Sequence, residues 1–148
     1  MVEQPKYLEM TLSQLKAYVE SSESNVLLVV ELMAKELSQY DREVFCILNM
    51  KNNGQIINMN LVSVGTINAS LVIPMEVFKS SILANASAII GLHNHPSGNV
   101  KPSKEDMIVT RKRQKCGQLL GIELLDHIIV GGTNGKMLNM TGRMDWER

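Results

Sequence analysis

ASAIIGLHNHPSGNVKPSKED, residues 86–106, is the stretch from which the fold can be read. Ala86 to Leu92 is a run of apolar and small residues broken only by Ser87, and it ends at a polar cluster. Such a run reads as a buried central strand that delivers the cluster to its end. The loop Pro96 to Pro102 follows, rich in residues that turn the chain. Ser103 then stands where a helix N-cap would, with Asp106 three positions on, where a capping box places its acid. The spacing predicts a helix to about Leu120, stopped by Gly121 as a C′ glycine.

Outward from this unit, Ile122 to Val130 and Lys136 to Met140 read as a final hairpin closed through GGTNG, residues 131–135. Upstream, Leu71 to Ile73 reads as a short strand, and Pro74 opens a helix through Met75, Phe78, Ile82 and Leu83 to about Asn85. Glu43 to Met50 and Gln55 to Val64 read as strands joined by Lys51-Asn52-Asn53-Gly54, whose residues tolerate positive φ. Asn25 to Tyr40 carries Val26, Val29, Val30, Met33 and Leu37 at helical spacing, and Thr11 to Glu20 has a weaker helical pattern. Helices and strands alternate, with a meander at each end. The expected architecture is a single α/β domain with a mixed sheet.

The chain has 148 residues, 45% of them apolar and 20% charged, which suits one globular domain with a core that needs no metal or disulfide staple. Fifteen basic residues balance fifteen acidic ones, so no global field favours nucleic acid or an anionic membrane. Cys46 and Cys116 have no partners at metal-ligand spacing and read as reduced structural thiols. The N-terminal MVEQPKYLEM lacks an apolar signal core, and Val26 to Ala34 is too short to span a bilayer and is interrupted by Glu31. A cytoplasmic location without membrane contact is expected.

His93 and His95 close the predicted strand, and can reach one ion if the chain bends there, as Pro96 and Gly98 would allow. Imidazole nitrogens with one carboxylate oxygen suit a single zinc ion, and Asp106 lies in the first turn of the following helix, where the dipole favours an anion. Three protein ligands leave a fourth position for water, as catalysis requires. An H-x-H pair alone is equally compatible with structural loop histidines.

The longer pattern is more specific. His93-x-His95, seven residues, Ser103, two residues and Asp106 resembles the JAMM signature of the MPN+/JAB metalloproteases. HNHPSG at 93–98, KPSKED at 101–106 and LLGIELLDHIIVGG at 119–132 resemble the RadC family of bacterial JAB-domain proteins, over roughly Asp41 to Leu138. This resemblance implies a JAB/MPN-like (cytidine deaminase-like) α+β domain, with a mixed central sheet flanked by helices, over 41–148. Residues 1–40 would be a helical extension packed on it. It implies zinc on His93, His95 and Asp106, and a Ser103 hydroxyl that helps to stabilise an oxyanion; Ser103 as a plain N-cap is the simpler alternative.

The family also supplies a glutamate general base at the head of an early strand, which Glu43 in REVFCILNM (42–50) matches. Glu76 in IPMEVF (73–78) is the runner-up, and could merely complement a helix dipole. The implied activity is zinc-dependent hydrolysis of a peptide or isopeptide bond, on an unknown substrate.

The alternative is a DNA-repair-associated or mobile-element accessory protein whose zinc is not used for proteolysis. Longer RadC proteins place a helix-hairpin-helix segment before the JAB domain; here about forty residues precede Glu43, without a glycine hairpin, so a short form is expected. Lys101, Lys104, Arg111, Lys112, Arg113 and Lys115 form the basic concentration; on a helix Lys104, Arg111 and Lys115 share one face, either a solvated face or an edge beside the site. Asp126-His127, inside an apolar strand, reads as a hydrogen-bonded core pair or as a partner to a ligand rather than a ligand. Asn94 and Ser97 either line the metal's mouth or fix the loop.

Overall fold

The computed structural model describes residues 11–21, 24–65, 73–131 and the backbone of 136–139. Among these residues four helices, α1 (Leu12–Val19), α2 (Val26–Leu37), α3 (Pro74–Leu83) and α4 (Lys104–Leu120), accompany five strands. The strands are β1 (Val44–Met50), β2 (Ile56–Val64), β3 (Ala88–His95), β4 (Glu123–Gly131) and β5 (Lys136–Asn139), in the sheet order β2-β1-β3-β4-β5. β3 and β4 are parallel and the other pairs antiparallel, which is the expected mixed α/β sheet. The short strand expected at 71–73 and the GGTNG turn lie mostly outside the described residues; Ile73 is the extended residue that leads into α3.

The helix starts follow from local chemistry. Thr11 and Gln14 form a capping box on α1, the Asn25 side chain accepts from the backbone of Leu27 and Leu28, and Pro74 opens α3. Gly121, at φ 74°, ends α4 in the left-handed conformation that a β-carbon would penalise.

The two faces of the sheet carry separate cores. On one, Leu15, Val19 and the buried stripe of α2 pack on Val44, Cys46, Leu48, Ile90, Leu92, Ile128 and Val130. On the other, Phe45, Ile47, Ile89, Leu124 and Ile122 meet Val77 and Phe78 of α3. The parity of β4 changes along its length: Leu124 belongs to the second core, yet Ile128 and Val130 belong to the first. The cause is a bulge. Ile89 pairs with Leu124 and Ile90 with Asp126, so the register skips Leu125, and everything after it is turned to the other face. His127 thereby comes opposite Gly91. A β-carbon on Gly91 would lie 3.1 Å from the Phe45 ring and 3.7 Å from the His127 ring, so its absence makes room for both.

β3 is longer than the apolar run predicts, and continues through His93, Asn94 and His95. No bend is needed to aim both histidines at one point, because alternate residues of a strand share a face. The expectation of a bend is corrected.

Candidate metal centre

β3 ends with His93 fully buried and His95 half-buried, and α4 brings Asp106 over them from its first turn. His93 Nε2 lies 3.1 Å from His95 Nε2 and 3.1 Å from Asp106 Oδ1, and His95 Nε2 lies 3.0 Å from Asp106 Oδ2. The two imidazole nitrogens thus adjoin each other, and each faces a different oxygen of the Asp106 carboxylate. Tetrahedral ligands with bonds of about 2.0–2.1 Å to zinc sit roughly 3.3 Å apart, close to these separations. The Glu43 carboxylate joins the same cluster: its oxygen and the nitrogens of His93 and His95 all lie within 4.8 Å of one another. Glu43, His93 and His95 can therefore hold a metal ion, with Asp106 beside them.

Protonation suits that role. Burial pushes the His93 imidazole down from its ordinary value, against the opposing pull of Asp106. Burial works to raise the Asp106 carboxyl, but the adjoining His93 ring and the hydrogen bond from the Ser103 backbone outweigh it and hold the group below the usual carboxylate range. A neutral imidazole and an ionised carboxylate are the forms that bind metal. His95 Nδ1 lies 2.7 Å from the Asn99 carbonyl oxygen, to which it can only donate, so its Nε2 presents a lone pair to the cluster.

Ser103 is the N-cap of α4. Its backbone N–H donates to Asp106 Oδ2 at 2.7 Å, and its Oγ accepts from the Asp106 N–H at 3.0 Å. This reciprocal box fixes the carboxylate, while the hydroxyl hydrogen is not consumed by the bond.

Asn94, between the two histidines, points to the opposite face of β3 and is buried. Its Oδ1 accepts from Val44 N at 2.6 Å and its Nδ2 donates to the Arg42 carbonyl at 2.9 Å. The residue thus grips the chain on both sides of Glu43, whose own carbonyl accepts from Gly65 N at 2.7 Å. It fixes backbone rather than lining the mouth. An open depression of about 450 Å³, lined by Asp41, Arg42, Glu43, Gly65, His95, Pro96 and Ser97, lies beside the cluster.

Glu76 is elsewhere: it is exposed in the first turn of α3, where it complements the helix dipole. Lys104, Arg111 and Lys115 are exposed, but Arg113, in the same basic concentration, is not. It is 2% exposed, because Asp106, Val109, Thr110, Arg113 and Gly117 form the inward stripe of α4. Its guanidinium lies over the Phe45 ring at 3.7 Å, and among the described residues none of its nitrogens has a hydrogen-bond acceptor. His127 is also fully buried, with Nε2 2.6 Å from His93 Nδ1 and Nδ1 against the Thr110 hydroxyl.

The sequence profile of the RadC-like JAB domain matches residues 23–143, which include every residue of this cluster. The chain belongs to the RadC-like JAB-domain family. Relatives include UPF0758 proteins of Syntrophomonas wolfei, 40% identical over 129 residues, and of Desulfitobacterium hafniense, 46% identical over 103 residues. These alignments cover 87% and 70% of this chain, and 55% and 45% of the relatives. A UPF0758 protein of Staphylococcus carnosus is 50% identical over 98 residues, 66% of this chain and 42% of that protein. The RadC-like chain therefore spans about half the length of the curated relatives it matches. Among its described residues no helix is long and apolar enough to cross a membrane.

Proposed function

We propose that this RadC-like domain is a zinc-dependent metallohydrolase that cleaves peptide or isopeptide bonds. His93, His95 and Asp106 are the metal ligands, Glu43 the general base and Ser103 the oxyanion donor. The observation that carries the reading is the meeting of two imidazole nitrogens and the Asp106 carboxylate at separations of 3.0–3.1 Å, beside a second carboxylate and an open depression. A zinc ion bound there supplies Lewis acidity and a water acidic enough to ionise near neutral pH.

The chain's own residues do the rest. Glu43, half-buried at the head of β1, takes a proton from the attacking water and returns it to the leaving nitrogen. Asn94 and Gly65 fix its backbone, so the carboxylate keeps its distance from the histidines. The Ser103 hydroxyl, with its oxygen already accepting from Asp106 N–H, turns its hydrogen to the developing oxyanion. Asp41, Arg42, Pro96 and Ser97 border the space for the substrate backbone.

Metal analysis of protein purified without chelators should find about one zinc per chain. His93→Ala and Asp106→Ala should lose it. Glu43→Gln should keep the ion and lose cleavage of a fluorogenic peptide library and an isopeptide panel. Metal-free wild type, or full activity in Glu43→Gln, would overturn the reading.

A second reading, a DNA-associated accessory role, draws on the exposed Lys101, Lys104, Arg111, Lys112 and Lys115. Its test is a duplex shift at low salt, and no binding there ends it.

A further inference from the structure

We infer that His127 is a positioning residue for the metal, the middle link of a one-way hydrogen-bond chain that leaves His93 Nε2 bare. The inference rests on the metal reading above, but it concerns residues that reading does not assign.

The chain can be followed by counting hydrogens. Thr110 Oγ1 donates its one hydrogen to the Asp106 carbonyl at 2.8 Å, one helical turn back along α4. Toward His127 Nδ1 that oxygen is consequently an acceptor, so Nδ1 carries the hydrogen. His127 Nε2 then has only a lone pair to offer across the 2.6 Å to His93 Nδ1, which must donate. A neutral imidazole that donates through Nδ1 has a bare Nε2, and His93 Nε2 is the atom that faces His95 and Asp106. All four groups are buried, at 0% exposure for both histidines, 2% for Asp106 and 5% for Thr110, so water does not compete for these bonds.

The chain also ties two proposed ligands together. It begins at the main chain of Asp106 and ends at the ring of His93, crossing from α4 to β4 to β3. Metal-bound histidines usually lean on a carboxylate or a carbonyl. Here the support is a neutral imidazole, which orients the ligand without adding negative charge. The Leu125 bulge and the missing side chain of Gly91 place that imidazole on the site's face.

The test uses the full chain and two variants. His127→Leu keeps a buried apolar volume beside Phe45 and removes the acceptor; His127→Gln can return an amide oxygen toward His93. Zn²⁺ affinity is measured by chelator competition, Co²⁺ binding by its visible spectrum, and the His93 tautomer in metal-free protein by ¹⁵N NMR. Folding is checked by circular dichroism. Wild type should show His93 protonated at Nδ1. His127→Leu should bind both ions about 10- to 100-fold more weakly while staying folded, with His93 shifted toward protonation at Nε2. His127→Gln should recover most of the affinity.

Unchanged affinity in folded His127→Leu would overturn the inference. So would a wild-type His93 protonated at Nε2 and donating to Asp106, the reverse polarity of the chain. Failure of wild type to bind either ion would instead overturn the metal reading.

Discussion

Replacing Arg113 by methionine should make the metal-free protein more stable. The guanidinium is 2% exposed, and no described residue accepts a hydrogen bond from it. Burial pulls its pKa down to about 9, although Asp106 pulls the other way. Taking that charge out of water costs several kcal/mol on folding. The contact with Phe45 at 3.7 Å returns about 1–2 kcal/mol of this as a cation–π interaction. Methionine keeps most of the packing against the ring and carries no charge, so a gain of about 1–3 kcal/mol is expected, in line with other replacements of buried ions.

The assay is urea unfolding at neutral pH with the metal chelated, comparing midpoints at unchanged m-value. A variant less stable than wild type by about 1 kcal/mol or more would show that the guanidinium has acceptors in the folded protein, and would refute the reasoning.

Asn94→Ala should cost about 2–3 kcal/mol of stability, because Val44 N–H and the Arg42 carbonyl lose their partners. Zinc content should stay near that of wild type while hydrolysis falls, since the clamp holds Glu43 and not the histidines; a parallel loss of zinc would contradict this assignment. Burial pushes the Cys46 thiol up to about 12, so at pH 8 only about one part in 10⁴ is thiolate. A thiol reagent should therefore modify the half-buried Cys116 in the native protein and reach Cys46 only on unfolding. Rapid labelling of both would show that β1 opens readily.

Much of the molecule is legible in the sequence where local chemistry decides the outcome. The hairpin of β1 and β2 follows from Lys51-Asn52-Asn53-Gly54, and the start of α4 from Ser103 and Asp106, which form the expected capping box. The cluster follows from His93, His95, Asp106 and Glu43, which the fold brings to one place. What stayed hidden depends on contacts far apart in the chain. The end of β3 was misplaced because polarity marks a loop, whereas His93 and Asn94 are buried in a strand by partners up to 52 positions away. Arg113 was grouped with its basic neighbours by proximity, although steps of three and four from Asp106 place it on the inward stripe. The link from His127 to Thr110 and His93 spans 17 and 34 positions, and no local signal carries it.

The bulge at Leu125 makes β4 tolerant of length as well as of side-chain identity at that point. Leu125 is half-buried and skipped in the β3 register, so other apolar residues should serve there. Deleting it would make Ile89–Leu124 and Ile90–Asp126 consecutive pairs, and His127, Ile128 and Val130 would keep their present faces. Straightening the strand with Leu125 in place is a different event: every later residue would slip by one, and Ile128 and Val130 would exchange faces with His127. Lineages descending from such a sequence would be free to change or lose Leu125, while the pairing of His127 with Gly91 stayed locked.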